Sequence, residues 1–236
     1  MSKYTYDIKV YAVKAREEMI KKEYIDTGVC TEDDIVYDDR PNGGACIYNN
    51  LRAWEMPCET THRLCMADDL HLCENFREYI QKIIDAHPDD VITLYNACYD
   101  WYKYDLYPAK ESPYYLNKQF CANATIMPIK YVPIYKQWLL DNFGDNWVNM
   151  IDDEQLYNWC VATNHRNLCT IPTLIQHIGN QSILTPDAGI RYTCAFKEKA
   201  EDLDKINWAS QVVYPRIMDK SDPITQFWKS IKAQQK

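Results

Sequence analysis

The stretch CMADDLHLC, residues 65–73, sets two acids and a histidine directly after an apolar run. Asp68 and Asp69 repel each other, and a buried carboxylate without a partner is costly, so a positive group is expected beside them. In an extended segment, residues two apart point to the same side. Asp69 and His71 can then share one divalent cation, and carboxylate plus imidazole suits Mn²⁺, Mg²⁺ or Zn²⁺. Two ligands from this segment leave room for a third and for the oxygens of a diphosphate. The competing reading makes the acids a helix cap and leaves His71 on the surface. Two further acidic pairs stand out: Asp38-Asp39 before RPNGG, and Asp152-Asp153 at the start of an expected helix. Asp also favours turns and helix starts, so each pair has an ordinary alternative. A carboxylate within hydrogen-bond reach of a hydroxyl can take its proton. His177, flanked by Ile175 and Ile178, reads either as a ligand or as a core histidine. A zinc site from Cys58, His62 and Cys65 is disfavoured, because Cys65 falls inside an apolar strand pattern.

These residues need elements to carry them. Residues 5–13 read as a strand and 15–26 as a helix stopped by Gly28, with 34–39 as a second strand. This β-α-β unit implies parallel strands. HRLCMA at 62–67 is apolar on consecutive residues, as in a strand covered on both faces. A helix at 75–87, a strand at 91–97 and a long loop at 99–120 follow. Then come a strand at 124–129, helices at 132–143 and 152–162, and a strand at 167–172. The remainder is loop-rich until a helix at 222–233. The alternation predicts an α/β fold with a mostly parallel central sheet flanked by helices. One domain is expected over 1–190, with an extension over 191–236 packed on it. Ligands on such sheets bind beyond the carboxyl ends of the strands. Asp38-Asp39 and Asp68-Asp69 fall at such ends, and His177 lies just past the sixth strand, so one cleft can gather them.

Composition narrows the classes. A net charge of −8 argues against tight non-specific nucleic-acid binding and leaves room only for a local basic rim, from Lys103, Lys110, Lys118, Lys130 and Lys136. Ten cysteines without a CxxC spacing predict reduced thiols and a cytoplasmic location. No run approaches the roughly 20 apolar residues of a membrane span, and the first ten residues lack the apolar stretch of a signal peptide, so no membrane partner is expected. Among the abundant aromatics, Trp54, Trp101, Tyr102 and Trp138 are candidates for a stacking wall, against the commoner role of core.

An apolar strand ending in ADDLH resembles the metal-binding signature of GT-A-fold glycosyltransferases in its D-x-H variant. VYAVKAREEM, IVYDDRPNGG, NNLRAWEM, THRLCMADDL, TIMPI, DDEQLYNW and TIPTLIQHIGNQSIL occur in that order. Together, over residues 6 to 190, they resemble small glycosyltransferases encoded by tailed phages, which are distantly similar to lipopolysaccharide glycosyltransferases. The resemblance implies a GT-A-like domain that moves a sugar from a nucleotide sugar, a UDP-sugar, to an acceptor hydroxyl, with Mn²⁺ or Mg²⁺ on the diphosphate. It implies Lys14 and Arg16 beside the nucleotide, Asp38 and Asp39 on base and ribose, Asn50 and Arg52 supporting that pocket, and Asp68 on the ribose. Asp69, His71 and His177 would hold the metal. Ala67 stands where the family carries glutamine or glutamate, so no side chain acts there. Asp153, with Asp152 beside it, is the implied catalytic base. The acceptor implied is a hydroxymethylated or glycosylated pyrimidine of phage DNA, met in the host cytoplasm. A lipid- or polysaccharide-linked acceptor is the alternative. A nucleotidyltransferase or hydrolase would use the same acids without a sugar acceptor, and a non-catalytic binding module would keep the fold alone.

Overall fold

The structure, a computed structural model, describes residues 2–40, 44–95, 112–116, 123–178 and 196–215. β1 (Tyr6–Ala12) turns buried over its last five residues, as a central strand must. It lies parallel to β2 (Ile35–Tyr37) and to β3 (His62–Ala67), with Val10 opposite Ile35 and Met66. The expected helix between β1 and β2 is built in three pieces: a 3₁₀ turn (Lys14–Arg16), α1 (Glu17–Ile20) and a π turn (Lys21–Ile25). Gly28, at φ +72°, ends it in the left-handed conformation that glycine adopts without strain.

A second helix, α2 (Cys46–Glu55), was not expected from the sequence. Its inner face carries Asn49 and Asn50 among Ile47, Leu51 and Trp54, which breaks the apolar period. Asn49 is buried because its amide donates to the carbonyls of Ala12 (3.2 Å) and Val36 (2.8 Å), tying the ends of β1 and β2.

β4 (Leu70–Leu72) leads to α3 (Phe76–Ala86), β5 (Val91–Thr93), β6 (Tyr114–Leu116) and β7 (Ala124–Pro128). α4 (Val132–Phe143) and α5 (Asp152–Thr163) precede β8 (Asn167–Thr170) and β9 (Ile175–His177). α6 (Ala200–Leu203) and β10 (Tyr214–Pro215) complete the described elements. The main sheet runs β10-β6-β8-β5-β7-β3-β1-β2, and β4 and β9 form a separate antiparallel ribbon. β1, β2, β3, β5 and β8 share one direction; β7 is antiparallel to both its neighbours, and β6 and β10 also run against the majority. The result is a mixed α/β protein with a mostly parallel central sheet flanked by helices.

β6 falls within the expected loop at 99–120; the rest of that loop before residue 112, and the expected helix at 222–233, lie outside the described residues. Residues 196–213 are not simply loop. Leu203 and Trp208 are buried, the Tyr79 hydroxyl donates to Asp204 (2.9 Å), and the Tyr114 hydroxyl donates to the Trp208 carbonyl (2.7 Å).

Two composition-based expectations change. Trp54 is core at 1% exposure, Trp138 packs partly buried against Phe143, and Trp101 and Tyr102 lie outside the described residues, so no stacking wall forms from the described members. Lys130 pairs with Asp89 (2.5 Å) and Lys136 with Glu55 (2.6 Å). Because β7 is antiparallel, Lys130 follows it at the amino ends of the parallel strands, away from the acidic pairs. Lys103, Lys110 and Lys118 are outside the described residues. The described cysteines are free thiols, and burial pushes Cys30, Cys73 and Cys160 up to about 12. His62 spends both ring nitrogens on Thr61 and the Pro88 carbonyl, and no group of three metal-ligating residues occurs among the described residues.

Candidate active site

β3 is buried along its whole length, so it delivers the chain to a fixed point beyond its carboxyl end. The turn there is closed from beneath. The buried Tyr24 hydroxyl donates to the Ala67 carbonyl (3.0 Å) and accepts the Leu70 N–H (2.8 Å). The Asp69 carbonyl accepts the Ile178 N–H (2.9 Å). Asp68 and Asp69 are thereby held side by side.

The positive group beside them is Arg16. A single nitrogen, Nη1, lies 2.5 Å from Asp68 Oδ1 and 2.7 Å from Asp69 Oδ2. Asp68 Oδ2 accepts the Val13 N–H (2.8 Å). On the other side, His177 Nε2 lies 3.2 Å from Asp69 Oδ2. Burial raises the Asp68 carboxyl, and Arg16 and the Val13 N–H offset that only in part. Burial acts on Asp69 too, but the hydrogen bond and charge of His177, with Arg16, outweigh it and hold that carboxyl below its ordinary range.

His71 is turned away. The ribbon pairs Leu70 with His177 and His71 with Gln176. Opposed residues of an antiparallel pair share a face and neighbours alternate, so the two histidines point to opposite faces. Asp69 lies in the bend before β4, so the two-residue rule that would align it with His71 has no strand to act on. His71 Nδ1 instead meets Glu23 Oε2 (2.9 Å), Nε2 lies 3.8 Å from Glu198, and the ring packs edge-on against Phe196. The structure thus joins Asp69 and His177 and leaves His71 out. His177 Nδ1 is buried without a hydrogen-bond partner. The nitrogen that faces Asp69 is the other one, Nε2, so this carboxylate and this imidazole are two donors of the kinds a divalent cation takes.

The second acidic pair acts on some of the same groups as the first. Asp152 and Asp153 open α5, and Asp152 Oδ1 accepts the Asp153 N–H (3.0 Å). Burial first, then the charges of Asp152, Asp153 and Asp69, raise the Tyr11 hydroxyl well above its usual value. Burial and the charges of Asp152, Asp153, Asp68 and Asp69 do the same to the Cys46 thiol. Tyr11, near the end of β1, and Cys46, at the start of α2, therefore each feel the charge of both acidic pairs. Sequence reasoning missed both. Tyr11 reads as one more strand residue, and Cys46 opens a helix whose pattern is masked.

Beyond β2 the remaining candidates gather around aromatic rings. Lys14 is exposed, pairs with Glu17 and rides over the Tyr37 ring (4.8 Å). Asp38 is gripped by Arg40 through Nε (2.9 Å) and Nη2 (2.5 Å), and these hydrogen bonds lower its carboxyl. Asp39 is 58% exposed at the side chain and lies 3.3 Å from Arg52. Arg52 also donates to the Tyr37 carbonyl (2.9 Å) and to Asn49 (3.2 Å), and Asn50 is buried on the inner face of α2. Arg40 and Arg52 both lie over Tyr48, which stacks on Trp147. Arg40, Tyr48 and Trp147 carried no signal in the sequence beyond their types.

Fold and site define an α/β protein whose titratable side chains converge beyond the carboxyl ends of its parallel strands. The chain matches no protein-family model and no curated protein. Among solved structures it is similar to the inositol-1-phosphate CTP transferase from T. maritima, at 12% identity and a TM-score of 0.36. The match covers 70% of this chain and 65% of that one, so the chain spans just under two thirds of that protein's length. Among the described residues no helix is long and apolar enough to cross a membrane.

Proposed function

We propose that the chain is a metal-dependent glycosyltransferase of GT-A type that uses a nucleotide sugar, a UDP-sugar, as donor. The observation that carries this reading is the cluster of Arg16, Asp68, Asp69 and His177 at the end of β3; the charges of Asp152 and Asp153 reach Tyr11 and Cys46, as that of Asp69 does. One acidic pair with an imidazole suits the diphosphate end of a donor, and a second acidic pair suits an acceptor hydroxyl.

Asp69 and His177 would hold the cation, Mn²⁺ or Mg²⁺, with Asp68 beside them. Bound there, the ion would neutralise the charge that grows on the leaving diphosphate. Asp68 is suited to accept a hydrogen bond from a ribose hydroxyl. The ring-and-guanidinium wall of Tyr37, Tyr48, Arg40 and Arg52 is suited to the base side, next to Lys14, Asp38 and Asp39. Asp153, with Asp152 supporting it, is placed in this reading as the base that takes the acceptor proton; such a base typically contributes 10²–10⁴-fold in rate. The acceptor proposed is a hydroxymethylated or glycosylated pyrimidine of phage DNA, on the strength of the sequence resemblance.

The test is thermal unfolding with UDP, with and without Mn²⁺, for the native chain and Asp69→Asn. Ligand at about 100 times its Kd adds about 2.7 kcal/mol. For a domain of this size that raises Tm by about 5–10 °C. A Mn²⁺-dependent rise that Asp69→Asn loses supports the reading. No rise with UDP or any other nucleoside diphosphate refutes it.

A further inference from the structure

We propose that Arg16 is a resident counter-ion which a divalent cation must displace from Asp69, so that cation entry and release of the guanidinium toward the nucleotide are one exchange. This rests on the functional reading above. Arg16 Nη1 sits in the wedge between the two carboxylates, 2.5 Å from Asp68 Oδ1 and 2.7 Å from Asp69 Oδ2. The Asp69 oxygen it uses is the one that faces His177 Nε2 at 3.2 Å. An ion seated between Asp69 Oδ2 and His177 Nε2 therefore takes the oxygen that Arg16 already occupies. All four side chains are largely buried, Arg16 at 16% exposure and Asp69 at 8%. Two cations on one carboxylate oxygen, shielded from water, repel strongly.

The exchange has a direction. Once an ion supplies the neutralising charge, Arg16 no longer does so, and its planar fork matches phosphate oxygens in two-point contact. It is anchored at the carboxyl end of β1, where the phosphates of a bound donor would lie. Without ligand, Arg16 spares the protein two adjacent uncompensated carboxylates. With ligand, the same side chain is handed over to the diphosphate. Nucleotide and cation then favour each other, since each is held by a group that the other frees.

The test measures Mn²⁺ alone on the full chain, by calorimetry and by the electron paramagnetic resonance signal of the free ion. Arg16→Gln removes the competitor and should bind Mn²⁺ at least tenfold more tightly than the native chain. Its Tm should rise further on Mn²⁺ addition than the native Tm does. Equal or weaker Mn²⁺ affinity in folded Arg16→Gln, with the native chain binding, overturns the exchange and leaves the functional reading standing. If Arg16→Gln does not fold, Arg16→Met replaces it, since it keeps the length of the side chain and removes the charge. Tighter Mn²⁺ binding is expected there, and unchanged affinity overturns the proposal. Mn²⁺ binding by neither chain, with or without UDP, overturns the exchange and the functional reading together.

Discussion

Replacing Tyr24 by Phe removes one oxygen atom and keeps the ring. That oxygen closes the acidic turn, donating to the Ala67 carbonyl at 3.0 Å and accepting the Leu70 N–H at 2.8 Å. Burial raises the hydroxyl well above its ordinary value, so it stays protonated and can do both. Register leaves the Leu70 N–H no substitute, because the ribbon's bond at this point runs from the Ile178 N–H to the Asp69 carbonyl. Each buried backbone group stripped of its partner costs about 1–3 kcal/mol. The ring volume is retained, so no cavity cost is added. Together the loss should be about 2–6 kcal/mol in unfolding free energy, read from urea titrations with unchanged m. The same turn positions Asp68 and Asp69, so Mn²⁺-dependent UDP affinity should also fall, by about tenfold. A stability loss below about 1 kcal/mol would refute the clamp. A full loss of stability with unchanged ligand affinity would refute its link to the site.

Other substitutions separate structure from site. Arg63 is fully buried, donates to the carbonyls of Ala53, Trp54 and Met56 at the end of α2, and pairs with Asp7 at 2.6 Å. Arg63→Met should cost about 3–5 kcal/mol by denaturant unfolding, as expected when one partner of a buried pair is removed. His177→Ala should abolish Mn²⁺-dependent UDP binding in calorimetry, whereas His71→Ala, on the opposite face of the ribbon, should leave it within about threefold. Asp69 is depressed below the ordinary value of 3.8, so the stability it supplies is present above that value and lost as pH falls through the lower folded one. The difference in unfolding free energy between the native chain and Asp69→Asn should accordingly be largest near neutrality and vanish in acid. Asp68, raised by burial, has the opposite sign, with a contribution lost as pH rises through its folded value.

Much of the frame was legible because burial writes itself as apolar runs. HRLCMA reads as a strand covered on both faces, and so it is. Strand direction is not written that way, since ATIMP is equally apolar parallel or antiparallel, and β7 turned out antiparallel. α2 hid because Asn49 earns its buried place by hydrogen bonds that only the assembled sheet provides. In the site, the need for a positive charge beside Asp68 and Asp69 was legible from the two acids alone. That the charge is Arg16 was not, because the ion pair spans 52 residues of sequence. The pairing of Asp69 with His71 failed for a local reason: spacing says nothing about where a strand begins, and β4 begins one residue too late.

The insertion of β7 between β3 and β5 sets the order in which a growing chain can fold. β1 can pair with β2 on one edge and β3 on the other as soon as residue 67 has emerged. β5 must wait, because its partners are β7, beginning at Ala124, and β8, beginning at Asn167. During that interval an apolar strand stands with both edges open, the condition in which chains pair with the wrong neighbour. The ribbon that brings His177 to Asp69 closes later still, after β8 is in place. The acidic turn therefore receives Arg16 early and its histidine only after β8, while β10, the last strand of the sheet, is still to come.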